Sequence, residues 1–121
     1  MTTQDIPMRD WPSFFGHFSR IHQGAIVTVS VSSPDAGAFD AMLDQPFAGI
    51  SSDGDDVIVH VGTRIDRPHL QHHVLHVDTV HLQQTAEGAD AELDIDAFDG
   101  IRAMVKFRSP MYSDLLDAAV E

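Results

Sequence analysis

No cysteine occurs among the 121 residues, which excludes disulfides, thiolate metal sites and cysteine nucleophiles. Asparagine is missing too, and with it any N-glycosylation acceptor. Lys106 is the only lysine, and Glu87, Glu92 and Glu121 are the only glutamates, so the formal charge of −12 rests almost wholly on aspartate. Such a surface repels phosphates and anionic lipid, which argues against nucleic acid and membrane partners. Protonating every histidine would still leave the chain anionic. No stretch approaches the run of about 18 apolar residues that a membrane span needs. The opening MTTQDIPMRDW has neither a basic nor an apolar leader segment. A soluble cytoplasmic protein is the expectation.

Recognisable chemistry is equally sparse. There is no glycine pair at dinucleotide-binding spacing, no phosphate loop, no nucleophile elbow and no helical zinc-protease motif. Asp53-Gly54-Asp55-Asp56 lacks the ligand ladder and closing glutamate of a calcium loop, so it reads as a turn. Serine, histidine and aspartate are so abundant that a triad drawn among them carries no information. No aspartate is singled out as buried, so paired-carboxylate hydrolysis has nothing to rest on. An enzyme is not expected.

What the chain does have is histidine, concentrated in HLQHHVLHVDTVHLQQT at residues 69–85. His69, His72, His73 and His76 fall at helical spacing and on a helix would share one face, close enough to hold zinc or nickel. On a strand, residues four apart share a face but sit about 13 Å from each other at about 3.3 Å per residue. A metal site would then need help from His60 or His81. The valine content and the alternation running into Thr79–Thr85 favour the strand.

The whole length reads as one domain, 1–121, with 1–9 as a flexible lead. A chain of this size buries about two-thirds of its surface, enough for a core without staples. Asp10-Trp11-Pro12 opens a helix whose aromatic stripe is Trp11, Phe14, Phe15, Phe18 and Ile21, with Gly24 as C-cap. Ala25–Val31 and Phe39–Leu43 read as strands, Pro46 marking an edge or a bulge. An Asp53-Gly54 loop sets Ile50 opposite Val57. A Glu87-Gly88 loop sets Leu82 opposite Leu93 and His81 opposite Asp94. A three-residue Phe98-Asp99-Gly100 loop with Gly100 left-handed pairs Asp96 with Arg102, Glu92 with Lys106 and Asp90 with Arg108. Ser109-Pro110 ends the sheet, and Ser113 caps a short helix over 114–120.

Five short stretches carry a resemblance. They are Trp11-Pro12-x-Phe14-Phe15, Phe18-Ser19-Arg20-x-His22-x-Gly24, Gly49-Ile50-Ser51, Glu87-Gly88-Ala89-Asp90 and Phe107-Arg108-Ser109-Pro110. Together they resemble a family of small bacterial proteins classed as a domain of unknown function. The resemblance spans nearly the whole chain and implies no activity, cofactor or catalytic residue. The His69–His76 cluster lies outside the shared pattern. The order of elements is similar to that of small SH3-like and Sm-like barrels, a fold-level analogy only.

The expected fold is α+β: an amphipathic helix on a mainly antiparallel sheet of about six strands, curled into a small barrel, with a short C-terminal helix. The expected function is a non-enzymatic assembly module without cofactor, a homodimer through an edge near Pro46 or through the Ala25–Val31 strand. The alternative is a transition-metal protein using His69, His72, His73 and His76 with His60 or His81.

Overall fold

The computed structural model describes residues 2–62 and 70–111. Among the described residues there is one α-helix, α1 (Trp11–His22), which follows a 3-10 turn at Met8–Asp10. Eight strands make up the rest: β1 (Thr2–Asp5), β2 (Ile26–Ser33), β3 (Gly37–Asp53), β4 (Asp56–Val61), β5 (Leu70–Val74), β6 (Val77–Gln84), β7 (Asp90–Ala97) and β8 (Arg102–Met111). They form one antiparallel sheet in the order β1-β6-β7-β8-β2-β3-β4-β5.

Four expectations are corrected here. The sheet has eight strands rather than six, and β1 and β5 are left as its edges, so the expected barrel is not closed. Residues 2–5, expected in a flexible lead, pair with β6 from Thr2↔Gln84 to Asp5↔His81. The strand beginning at Ile26 is no edge, since β8 flanks it on one side and β3 on the other. The helix expected over 114–120 lies outside the described residues.

β3 gives the sheet its shape. Its first half pairs with β2 and its second half, from Phe47 on, with β4. Bulges fall on either side of Met42 and after Phe47, and extra residues at such points bend a strand sharply. The bend folds β4 and β5 over the face presented by β2, β7 and β8. Val57, Val59, Val61 and Val74 therefore share one core with Val27, Val29, Leu93, Ile95 and Val105. Backbone bonds from Val77 to Asp55 (2.7 Å) and from Phe98 to His76 (3.0 Å) pin the two ends together.

The helix plugs the opening left by this bend. Its aromatic stripe meets the sheet through Phe18, whose ring centroid lies 5.8 Å from both Phe47 and Phe107. Ser19 fixes the height of the helix: its Oγ donates to the Ile50 carbonyl at 3.0 Å and accepts from the Ile50 amide at 2.8 Å. Gly49 lies beside this clasp, where a Cβ would meet the Ser19 hydroxyl at an ordinary contact distance of 3.4 Å. Gly24 (φ 88°) then turns the chain into β2, as a left-handed C-cap should.

Registers follow the alternation except where a bulge intervenes. Leu82↔Leu93, His81↔Asp94, Glu92↔Lys106 and Asp96↔Arg102 are as expected, with Gly100 left-handed at φ 88°. The β3–β4 loop is Gly54-Asp55, so Ile50 faces Val59 instead of Val57. The sheet does not end at Ser109-Pro110 either, since Asp90 pairs with Met111 rather than Arg108.

Candidate functional site

The histidine cluster is dispersed by the strand that carries it. His72 stands opposite Val59 on the core side of β5, and His73 stands opposite Ile58 on the other side. Burial, helped by the neighbouring His73 charge, holds the His72 pKa below its ordinary 6.5. His76 has left the strand for a left-handed turn (φ 54°), where its amide donates to Asp56 Oδ1 at 3.1 Å. His60 lies 3.3 Å from Ser51 Oγ, and His81 bridges to Asp5 at 2.5 Å on the far side of the sheet. His69 lies outside the described residues. Alternation thus keeps the expected ligands apart. A different trio, Asp55, Asp56 and His76, brings one ligand atom from each residue within 4.8 Å of the others. There the Asp56 carboxylate holds the His76 turn.

The outer face of β6–β8 carries the acidic comb as expected, but it is not merely solvated. Asp94 is 2% exposed; its Oδ2 accepts from Gln83 at 3.1 Å, and Arg102 stands 3.9 Å away. Its Oδ1 is buried with no hydrogen-bond partner among the described residues. Burial, then a hydrogen bond to Asp94 and the Asp94 charge, push the Glu92 carboxyl up to about 7, against the pull of Lys106 and Arg102. Arg102 forks onto Asp96 at 2.5 and 3.1 Å, and that bond raises its own pKa.

A raised carboxyl pKa makes the folded state the tighter proton binder. Stability from Glu92 is therefore complete below its ordinary pKa of 4.5 and is lost as pH rises to about 7. After allowance for solvent screening of this half-exposed group, the loss is roughly 1–2 kcal/mol. Glu92→Gln, a permanent donor, is expected to remove that slope and to be the more stable form at neutral pH. Urea unfolding of both proteins between about pH 5 and about pH 8 checks this; parallel pH profiles would contradict it.

The remaining feature is an edge. Among the described residues, no strand pairs with the outer side of residues 37–45, because β4 begins its pairing at Phe47. Phe39 and Leu43 are 54% and 60% exposed there. The two aspartates that would normally guard such an edge are turned back onto the chain. Asp40 accepts from Ser30 Oγ at 2.7 Å, and Asp44 pairs with Arg108 at 3.0 Å. β1, by contrast, is four exposed polar residues, and β5 is short and rich in histidine.

Motif stretches scattered in the sequence meet in space. Phe18 touches Phe107, Ser19 clasps Ile50 beside Gly49, and the His22 ring packs on Phe107 at 4.6 Å and bonds Asp90 at 2.7 Å. A family model described as a family of unknown function (DUF5335) covers residues 2–115. The chain belongs to that family. No curated protein and no solved structure matches it.

In this DUF5335 chain the converging stretches build the junction of helix and sheet. His22 and Asp90 are both 1% exposed, and Gln84 Nε2 donates to the second Asp90 oxygen at 2.8 Å. Sequence reasoning missed this pair for two reasons. His22 lies four residues after Phe18 and eleven after Trp11, on the buried stripe, yet polar residues there are easily left aside. Asp90 was placed outward by strict alternation, and a bulge between Asp90 and Glu92 turns it inward. Among the described residues, no helix is long and apolar enough to cross a membrane.

Proposed function

We propose that the chain is a non-enzymatic self-assembly module whose copies pair through the outer edge of β3, residues 37–45. The carrying observation is the undefended edge itself: backbone donors and acceptors open to a partner, Phe39 and Leu43 exposed, and Asp40 and Asp44 engaged by their own chain. Sheets ordinarily blunt such an edge with charge. A two-fold axis through it lets two identical edges extend one sheet across both copies, each Leu43 lying on the partner's apolar side chains. The bulges around Met42 and the bend before Pro46 limit the ladder to a few residues per copy, which favours closure at a dimer over continued growth.

Short interfaces are weak, so dissociation on the order of micromolar is expected. Each copy carries −12, so salt strengthens pairing by screening the repulsion. Sedimentation velocity over a concentration series tests both points. The parent protein is expected to shift from monomer to dimer, more completely at higher salt. Leu43→Lys, which puts a charge on each side of the axis, is expected to stay monomeric with its fold intact. A parent protein that stays monomeric throughout, or a variant that dimerises as the parent does, overturns the proposal.

A further inference from the structure

At the end of the sheet where the β7–β8 turn meets β5 there is a cavity of about 280 Å³. We propose that it binds a small neutral molecule with an apolar, ring-sized body and one hydroxyl, the hydroxyl bonding to His72.

The size comes first. At about 30 Å³ per water, the cavity has room for roughly nine waters, just under the usual range for ligand pockets. Val31, Val74, Ala97 and Ile101 make most of the wall, and Leu75 stands at the rim. The first three are buried members of the inner face, so the wall is fixed by the sheet and is in place before a ligand arrives.

The polar contacts then select the ligand. His72 lies on the core side of β5, opposite the fully buried Val59, and is one of the residues lining the cavity. Burial and the neighbouring His73 keep that ring neutral at physiological pH. A neutral imidazole offers one donor and one acceptor, and a hydroxyl can satisfy whichever nitrogen faces it. Asp99 also lines the cavity, its Oδ1 already accepting from the Ile101 amide at 3.1 Å. His73 also lines the cavity but stands on the other side of β5 from His72, so with His72 uncharged and the Asp99 carboxylate on the lining an anion meets repulsion there. The recognised class is a neutral phenol-like alcohol. None of residues 37–45 lines the cavity, so this inference stands or falls apart from the assembly edge.

Methyl and histidine-ring NMR titration of the whole protein with 4-methylphenol, toluene and 4-methylbenzoate is the test. The expected result is a saturable shift of the His72 ring and the Val31, Val74 and Ile101 methyls with 4-methylphenol. Toluene is expected to bind about tenfold more weakly, and the benzoate not at all. His72→Phe should lower 4-methylphenol affinity to that of toluene, its methyl spectrum reporting that the fold is kept. Absence of saturable shifts up to about 5 mM, shifts confined to other sites, or equal affinity of the parent for 4-methylphenol and toluene would each overturn the proposal.

Discussion

Asp90→Ala is expected to lower folding stability by about 3–5 kcal/mol, the usual result of removing one member of a buried hydrogen-bonded pair. The loss has identifiable parts. His22 Nε2 loses its carboxylate at 2.7 Å while its Nδ1 already has no partner among the described residues, and Gln84 loses its acceptor at 2.8 Å. The His22 side chain is shut away from water that could replace its bond, whereas Gln84 is half-buried. Replacing both members with apolar side chains of similar bulk should cost less than either single change, because neither member of the buried pair is then left without the other. The coupling is read from urea unfolding of Asp90→Ala, His22→Phe and the double variant His22→Phe/Asp90→Leu. A double variant as unstable as the summed singles would show that the pair does not act as a unit.

Phe18→Ala should be as severe, about 3–5 kcal/mol. Its ring is 2% exposed and meets Phe14, Phe47, Phe107 and His22, the last at 4.6 Å. Deleting it opens a cavity at the place where the helix enters the bend of β3, and rigid strands on two sides prevent collapse into it. Against a typical total of about 5–15 kcal/mol, such a loss leaves little margin. Phe14→Ala, from a ring only partly buried against the same core, is the comparison and should cost about 1 kcal/mol. Thermal and urea unfolding should both rank the two variants in this order. Equal losses would mean that Phe18 is not the keystone of the junction.

Much of this architecture was legible. The helix and its caps follow from Asp10-Trp11-Pro12 and Gly24, and the alternation from Thr79 to Phe107 fixes three strands and most of their pairing. The β3–β4 offset was not legible, for a physical reason. Moving the loop from Asp53-Gly54 to Gly54-Asp55 shifts the register by two residues, and Ile50 opposite Val59 satisfies the pattern as well as Ile50 opposite Val57. A period of two cannot distinguish them.

Bulges hid the rest. Alternation carried strictly through Ala91 puts Asp90 in solvent beside Arg108, whereas the fold puts it beside His22 and leaves Arg108 to Asp44. The Glu92–Asp94 pair escaped similarly. An alternating run of acids reads as a solvated comb, and only the packing of β6 and β8 on both sides reveals that Asp94 is buried. For the histidines a strand was the favoured reading of the His69–His76 window; the strand covers Leu70–Val74 and explains why His72 and His73 face apart.

Hydrogen exchange of backbone amides at two protein concentrations, one well below and one well above the dimer midpoint, tests self-assembly through β3 most directly. Amides on the outer side of residues 38–45 are expected to slow at the higher concentration, while those of β1 and β5 exchange at the same rate in both. Unchanged exchange along 38–45, or slowing at β1 or β5 instead, would contradict pairing through this edge.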